Sequence, residues 1–498
     1  MGTQRETERK YAVNGAAAVP ELDAVPSVDR VSPAQREDLE AVYFDTADLR
    51  LARWGLTLRR RGGGHDAGWH LKVPVGPDSR AEIQRPLGGQ RPPEELVGLI
   101  EGITRGAELV AVARIGTDRQ RVILLGDKGK VLAEVTDDRV TGQALRRAGP
   151  ADRWREIEVE LGEQGEPDFL DAVEERLLAA GLRRSADESK LLRVLRESPR
   201  RVTSGRKVDA GQALLAYLTE QTGNLMRQDV LVRQRADDAV HQLRVAARRI
   251  RSALRVYRKI VDADRTAAVR AELQWLTRRL GPARDLEVLE ERFRAAVAEL
   301  PDRLTIGPVH TRLTRYFAPA QQDAEQTVWR TLRSRRYREL LDALEELVER
   351  PPLTRRAARP ARKELPKQVR RAYRTVARRL DRVGTRSSGA AHDTALHRTR
   401  KAAKRLRYAI EVAEPVLGGK ARRTRKRAKA FTSVLGRFQD SVVALPALRR
   451  LGAASHAGGE NGFTFGLLYA REQRAAEHAE TELAGRWKKL GKRTAWLR

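Results

Sequence analysis

The stretch VHQLRVAARRIRSALRVY, residues 240–257, contains one histidine and five arginines. Its apolar residues Leu243, Ala247, Ile250 and Leu254 recur at steps of three and four, which predicts one buried face of a helix. The cations recur at the same steps on another face, at His241, Arg244, Arg248, Arg251 and Arg255. The stretch therefore predicts an amphipathic helix whose polar face is largely cationic.

A second stretch, LHRTRKAAKRLRYAIEVA at residues 396–413, repeats this pattern at an offset of 156 residues. Its cationic face comprises His397, Arg400, Lys404 and Arg407, opposite Ala403, Leu406, Ile410 and Ala413. The sequences LGPARD (280–285) and LGRFQD (435–440) repeat at an offset of 155. Two matched features at nearly one offset predict an internal duplication, and hence two similar helical bundles that face each other.

These cationic faces are unfavourable for an isolated helix, since like charges three or four residues apart repel by a few tenths of a kcal/mol. A solvated face of an arginine-rich protein is one interpretation. The duplication favours another, the binding of a long anion with regularly spaced charges, because Arg and Lys side chains both suit phosphate oxygens. A metal-ligand role for His241 and His397 is a weaker alternative, because neither has a second ligand one turn away.

Charge is divided unevenly along the chain. Residues 1–200 carry a net charge of −3, and residues 201–498 carry +34. Such asymmetry predicts a polyanionic partner for the second part, and nucleic acid, an anionic membrane and polyphosphate all qualify on charge alone. The 498-residue chain has no cysteine, which excludes disulfides and thiolate zinc sites. It shows neither a signal peptide nor a long apolar run, so we expect a soluble cytoplasmic protein.

The two parts also differ in their predicted secondary structure. Up to about residue 195, short alternating segments are separated by turn sequences such as RGGGHDAG, which predicts strands. From about residue 210, Ala, Leu, Arg and Glu follow helical periodicity almost throughout. We therefore predict an α+β protein with a strand-rich domain at 1–198, a linker at 199–209 and an all-α domain at 210–498. The all-α domain should consist of two halves, at about 210–350 and 366–498.

Charged residues alternate along the predicted strands. In ETERKYAV, Glu6, Glu8 and Lys10 point to one face, and the two carboxylates lie ~7 Å apart, near enough to bracket a divalent ion. For each strand alone, a solvent-exposed face of an antiparallel sheet is a sufficient explanation. A closed barrel instead turns all charged faces inward and the apolar faces outward under covering helices. Further charged positions of this kind are Arg59, Arg61, His70, Lys72, Arg80, Glu82, Arg119, Arg121, Glu134, Asp138, Glu156, Glu158 and Glu160.

The first domain resembles the CYTH family, the triphosphate tunnel enzymes, over about residues 3–197. The resemblance rests on the ExExK signature at Glu6, Glu8 and Lys10, the LRxR pair, the Lys72 strand, the EIE pair and the sequence SKLLRVL that starts at Ser189. It implies an antiparallel tunnel barrel that acts on a triphosphate with Mg²⁺ or Mn²⁺, with Glu6, Glu8 and Lys10 as catalytic residues. The implied triphosphate-binding residues are Lys10, Arg59, Arg61, Lys72, Arg80, Arg119, Arg121 and Lys190. The implied metal ligands are Glu6, Glu8, Asp138, Glu156 and Glu158.

The second domain resembles the CHAD family over roughly residues 210–498. The resemblance rests on the two histidine-containing helices and on the two LGxxxD sequences. It implies a pseudo-twofold helical fold that binds inorganic polyphosphate. The implied binding residues are His241, Arg244, Arg248, Arg251, Arg255, His397, Arg400, Lys404 and Arg407.

Together these observations predict hydrolysis of inorganic triphosphate in the barrel and polyphosphate binding by the helical domain. Location at polyphosphate granules would follow from that binding. Thiamine triphosphate hydrolysis and cyclisation of a nucleoside triphosphate, ATP, to cAMP are alternatives that keep the fold. A non-enzymatic binder of polyphosphate or nucleic acid is a third alternative. Aromatic residues make up only 5% of the chain, and none interrupts the His241 face, which disfavours single-stranded nucleic acid.

Overall fold

The structure is a computed structural model, and it describes residues 3–13, 18–146, 149–187, 189–196, 208–384 and 389–497. Most of the predicted linker, residues 199–207, lies outside the described residues. The chain divides into two compact units. The first comprises Met1–Arg201 with Asp229–Ala236, and the second comprises Val202–Gln228 with Asp237–Arg498. No helix among the described residues is long and apolar enough to cross a membrane.

The first unit contains a closed barrel of eight antiparallel strands. Their order is β1-β6-β5-β4-β3-β7-β8-β9, and β9 pairs with β1 to close the ring. Two short strands, β2 (Arg30–Val31) and β10 (Arg183–Arg184), pair with β7 and β1. The barrel strands are β1 (Thr3–Ala12), β3 (Gln35–Thr46), β4 (Thr57–Gly62), β5 (Gly68–Pro74), β6 (Ser79–Pro86), β7 (Leu109–Leu125), β8 (Val131–Ala144) and β9 (Asp152–Leu161). The predicted antiparallel barrel is confirmed.

The alternation of side chains along each strand decides which residues face the tunnel. On β9, Ile157 and Val159 are fully buried in an apolar layer outside the barrel. Helix α3 (Pro167–Ala179) covers this layer with Leu170, Val173 and Leu177. The neighbouring residues on each strand then point inward, because successive side chains lie on opposite faces.

Three further helices accompany the barrel: α1 (Arg50–Arg53), α2 (Glu94–Thr104) and α4 (Lys190–Leu195). Helix α4 begins at Ser189, whose hydroxyl accepts a hydrogen bond from the Leu192 amide. Its apolar side chains share a buried cluster with Tyr43 and Ile115 of the barrel wall. This packing fixes the first residue of α4, Lys190, at the barrel.

The second unit is helical throughout its secondary structure, apart from isolated bridges. Its helices are α5 (Ala210–Arg233), α6 (Ala239–Val256), α7 (Ala267–Arg279), α8 (Gly281–Ala298), α9 (Val309–Arg333), α10 (Arg335–Glu349), α11 (Ala361–Gly384), α12 (Ala390–Leu417), α13 (Gly419–Ala457) and α14 (Phe463–Gly491). Every apolar position predicted on the two duplicated helices is buried.

The predicted duplication is confirmed in the order of the helices. Helix α6 carries the first cationic face and α12 the second, and the two helices pack against each other. The long helix α13 corresponds to α7 followed by α8, so the first copy contains a break that the second lacks. Pro282 lies in the first turn of α8, where proline is well accommodated because the first amides of a helix have no intrahelical partner. Arg437 stands at the matching position of α13.

Candidate functional site

The barrel encloses a cavity of about 590 Å³ lined by charged side chains of opposite sign. Eleven of the thirteen residues predicted for the first domain line it: Glu6, Glu8, Lys10, Arg59, Arg61, Lys72, Arg80, Arg119, Arg121, Glu158 and Lys190. Asp138 and Glu156, the other two, are buried and lie next to Lys190 rather than on the cavity lining. The geometry therefore brings the predicted residues together, while their roles remain predictions.

The three signature residues of β1 each meet an oppositely charged partner on another strand of the barrel. Lys72 Nζ donates to Glu6 at 2.5 Å, and Arg80 donates to Glu8 at 2.9 Å. Lys10 forms an ion pair with Glu158. Burial would raise the pKa of the Glu8 carboxyl, but Lys10 and Arg80 outweigh it and hold that pKa at about 2. Glu8 is therefore ionised and available to a cation at neutral pH.

A buried acidic cluster lies beside the cavity. Carboxylate oxygens of Asp138, Glu156 and Glu158 lie within 4.8 Å of one another, close enough to share a metal ion. The ammonium of Lys190 already lies among them, 2.9 Å from Asp138 and 2.7 Å from each glutamate. Arg119 adds a two-pronged pair with Asp138 at 2.7 and 2.8 Å. In this structure the cluster is thus neutralised by the protein's own cations.

Five further carboxylates line the cavity beyond those predicted as site residues: Glu82, Glu134 and Glu160 on the barrel strands, and Asp66 and Glu163 outside them. Burial, and then nearby carboxylates, raise the pKa of Glu6 to about 8 and that of Glu160 to about 7, although Lys72 acts in the opposite direction. Burial is the largest cause, so Glu6 and Glu160 hold a proton more readily than an exposed glutamate does. The alternation along β6, β8 and β9 places Glu82, Glu134 and Glu160 on the inward face, so the sequence pattern already indicated these three residues.

The cavity holds little aromatic surface. Tyr43 is the aromatic side chain, apart from histidine, among its described lining residues, and its hydroxyl lies 3.4 Å from Arg59. One phenol ring is therefore the aromatic surface that these residues offer. The lining therefore suits a compact polyanion better than a purine base, which would need a stacking partner.

In the helical unit, the two LGxxxD sequences anchor equivalent arginines of the two cationic faces. Arg244 donates to the Gly281 carbonyl at 3.1 Å and lies 3.4 Å from Asp285. Arg400 lies 3.7 Å from Asp440. A side chain at Gly436 would begin 3.6 Å from the Arg400 guanidinium, so the glycine leaves that group room against α13. The repeated sequence thus has a repeated structural role.

The cationic faces of α6 and α12 act on each other electrostatically. Burial, then Arg400 and Arg248, lower the pKa of Lys404 to about 7. Burial also lowers the pKa of His241 to about 4, with Arg248 contributing. Because Arg248 belongs to one copy and Lys404 to the other, the two faces form one region of concentrated positive charge.

Several donors in this region have no hydrogen-bond acceptor among the described residues. They are buried Nε groups of Arg244, Arg248, Arg284 and Arg400, with His241 Nδ1. An unsatisfied buried donor costs about 1–3 kcal/mol, which a bound anion would relieve. Arg284 was absent from the predicted site residues. It occupies the position of Gln439 in the second copy, and Gln439 contacts His397 at 2.5 Å.

Comparison with known proteins agrees with this architecture. A CYTH domain model matches residues 4–195, and a CHAD domain model matches residues 216–449. CYTH family members are metal-dependent triphosphatases or cyclases that act on triphosphate substrates. The barrel with its charged tunnel and the duplicated helical bundle are the expected forms of these two domains.

Two relatives are uncharacterized proteins of Mycobacterium tuberculosis, one from strain CDC 1551 / Oshkosh and one from strain ATCC 25618 / H37Rv. Each is 38% identical to the chain over 505 residues, and the match covers 98% of this chain and 96% of the relative. Among solved structures, PptA from Streptomyces chartreusis covers 56% of this chain and 99% of its own, with 21% identity and a TM-score of 0.48. The CHAD domain of the plant Ricinus communis covers 60% and 96%, with 24% identity and a TM-score of 0.41. The chain belongs to the family of two-domain proteins in which a CYTH domain, the triphosphate tunnel enzyme fold, is followed by a CHAD domain.

Proposed function

We propose that the barrel hydrolyses inorganic triphosphate with Mg²⁺ or Mn²⁺, and that the helical unit binds inorganic polyphosphate. The observation that carries the first half is the enclosed cavity of about 590 Å³, in which carboxylates and cations face one another. Phosphoryl transfer needs positioning and charge neutralisation more than covalent participation by the protein. A tunnel of paired charges provides both.

The carboxylates of the cavity fit a divalent ion. Mg²⁺ and Mn²⁺ prefer oxygen ligands, and burial, with nearby carboxylates, raises the pKa of Glu6 and of Glu160, a cost that a bound cation would offset. Glu6, Glu8 and Glu160 would hold the metal, with Glu158 as a further ligand. When bound, a divalent ion supplies charge neutralisation at the transferred phosphoryl group and favours ionisation of an attacking water.

The cations of the tunnel would bind and orient the substrate. Lys10, Lys72 and Arg80 are each engaged with a carboxylate, so triphosphate must replace these partners as metal takes up the carboxylates. Arg59, Arg61 and Arg121 line the same cavity and would hold the remaining phosphoryl oxygens. The scarcity of aromatic lining favours inorganic triphosphate over ATP or thiamine triphosphate.

Phosphate release from inorganic triphosphate, ATP and thiamine triphosphate, with and without each metal, tests this proposal. Wild-type protein should release phosphate from inorganic triphosphate only with metal. Glu8→Gln should lower turnover at least ~100-fold, because it removes a metal ligand and the partner of Lys10 and Arg80. Glu175→Gln, an exposed carboxylate of α3, is the matched control. Undiminished turnover in Glu8→Gln, or cAMP formation from ATP as the main reaction, would refute the assignment.

The polyphosphate half of the proposal rests on the unsatisfied donors at the junction of α6 and α12. A chain of phosphates offers acceptors at regular intervals, and a helix face offers donors every three or four residues, about 5 Å of rise. Because both faces contribute, a long chain can engage both at once, whereas a short chain engages one. Affinity should therefore rise with chain length.

Titration with short and long polyphosphate at two salt concentrations tests this half. Arg244→Ala with Arg248→Ala, and separately Arg400→Ala with Lys404→Ala, should each weaken binding of long chains at least ~10-fold and flatten its salt dependence. Arg303→Ala with Arg315→Ala removes the same charge from exposed positions elsewhere and should have little effect. If both double variants bind long polyphosphate with wild-type affinity, the cationic faces are solvated surface and not the binding site.

A further inference from the structure

A second basic surface lies at one end of the helical unit. Three segments without any acidic residue, 365–380 in α11, 419–439 in α13 and 483–497 at the end of the chain, contribute to it. They meet through specific contacts. Thr424 donates to the Arg493 carbonyl at 2.7 Å, and the rings of Tyr373 and Trp487 stack at 4.9 Å. Cations on the three segments are therefore gathered around one junction.

We define the end surface as twelve exposed cations of these segments. They are Arg374, Arg378, Lys420, Arg422, Arg423, Lys426, Arg427, Lys429, Lys488, Lys489, Lys492 and Arg493. None of the twelve forms an ion pair with a carboxylate in the described part of the chain. Many other surface arginines of this unit do, as Arg336 does with Glu272. Other cations of the same segments form such pairs, Arg425 with Glu414 and Arg437 with Glu482, so the twelve are the cations of these segments that the described carboxylates leave uncompensated.

The end surface opposes the intrinsic stability of the helices that carry it. Six of its cations occupy the first three turns of α13, and two of them, Lys420 and Arg422, lie in the first turn, where the helix dipole favours negative charge. Arg422 and Lys426, and likewise Arg423 and Arg427, are also one turn apart and repel. The packing of α13 does not use these exposed side chains, so an external anion is the partner that would compensate them.

The end surface is distinct from the polyphosphate region proposed above. Gly436 marks that region on α13, because it lies against Arg400. Lys429, the member of the end surface nearest to Gly436 on this helix, is seven residues away, about 10 Å at 1.5 Å per residue, and Lys426 is ten residues away, about 15 Å. Lys420 is farther still. A variant at one place can therefore leave the other unchanged.

We propose that the end surface binds the phosphate backbone of duplex nucleic acid without sequence preference. Its cations are spread over three segments rather than along one row, which matches a duplex, whose phosphates lie on two strands. The rings of Tyr373 and Phe431 both pack against Trp487, so these three rings are engaged within the protein rather than with unpaired bases. None of the large apolar residues exposed in the described chain lies in these segments, which disfavours insertion into a bilayer.

Fluorescence anisotropy with DNA and RNA duplexes of about two helical turns, at about 50 and about 200 mM salt, tests the proposal on the full chain. The variant Arg422→Ala/Lys426→Ala/Lys488→Ala/Lys492→Ala should lose at least ~10-fold in affinity at the lower salt, and the slope of log affinity against log salt should fall by up to ~3.6. The control, Arg303→Ala/Arg315→Ala/Arg449→Ala/Arg474→Ala, removes the same charge from exposed positions elsewhere. It should stay within about 2-fold of wild type.

Binding of long polyphosphate, measured in parallel, should be unchanged in the end-surface variant. Equal losses of duplex affinity in the variant and the control would overturn the proposal in favour of diffuse charge. If the end-surface variant loses affinity for polyphosphate instead, the end surface belongs to the polyphosphate region and the proposal is wrong. If it loses binding to anionic vesicles instead, the end surface is a membrane surface and the proposal is also wrong. If the quadruple variant unfolds, the doubles Arg422→Ala/Lys426→Ala and Lys488→Ala/Lys492→Ala give the same comparison.

Discussion

Replacing Lys190 by methionine removes an ammonium group from among three carboxylates while keeping much of the side-chain volume. Asp138 is 0% exposed and Glu156 is 3% exposed, so water screens these charges poorly. Removing one partner of a buried ion pair costs about 3–5 kcal/mol. Arg119 stays in contact with Asp138 and Glu158, so the lower end of this range, about 3 kcal/mol, is expected. For a unit of this size, that loss lowers the melting temperature by roughly 6–12 °C.

The same geometry predicts that a metal ion partly rescues the variant. Once Lys190 is gone, the oxygens of Asp138, Glu156 and Glu158, which lie within 4.8 Å of one another, form an uncompensated three-carboxylate site. Mg²⁺ or Mn²⁺ should therefore raise the melting temperature of Lys190→Met by several degrees more than that of the wild type. In the wild type the ammonium competes for the same oxygens.

Scanning calorimetry of both proteins in chelator, and then in Mg²⁺ or Mn²⁺, measures these effects. Lys130→Ala removes an exposed lysine of the same unit and should change the free energy of unfolding by less than about 0.5 kcal/mol. A Lys190→Met variant that melts within about 2 °C of wild type in chelator would refute the charge argument. Equal metal-induced shifts in the two proteins would refute a metal-binding capacity of this cluster.

Three other predictions concern pH and domain independence. Protons compete with metal for Glu6 and Glu160, whose pKa values are about 8 and about 7. The apparent affinity for Mg²⁺ should therefore rise from about pH 6 to about pH 8. A calorimetric titration in which this affinity does not change with pH would contradict the prediction. Lys404, whose pKa is lowered to about 7, loses its charge over the same pH interval. The affinity for polyphosphate should therefore fall as pH rises. In Lys404→Arg, which stays charged, most of that fall should disappear. An unchanged pH profile in Lys404→Arg would assign the effect to another group. Residues 1–198 alone should keep triphosphatase activity and lose polyphosphate affinity, and a folded fragment that still binds long chains tightly would show that this division is wrong.

Sequence periodicity by itself determined the main features of both units. Alternation at Glu6, Glu8 and Lys10 determined that they share a strand face, because successive side chains point to opposite sides. The three-and-four spacing on α6 and α12 determined which side of each helix is buried, and the repeated offset determined the duplication. These features depend on residues close together in the chain, so local geometry suffices to predict them.

Only the tertiary structure decided which distant charges meet. Barrel closure, together with the packing of α4, brings Lys190 to Asp138 and Glu156, although the pattern had suggested two separate sets of phosphate-binding and metal-binding residues. The packing of α6 against α12 buries Lys404 near Arg400 and brings the charge of Arg248 to bear on it, and these effects together lower the pKa of the lysine. The end surface likewise exists because three helices meet at Thr424, Trp487 and Tyr373. Such encounters depend on strand closure and helix packing across many residues, and electrostatic interactions follow distance in space rather than distance along the chain.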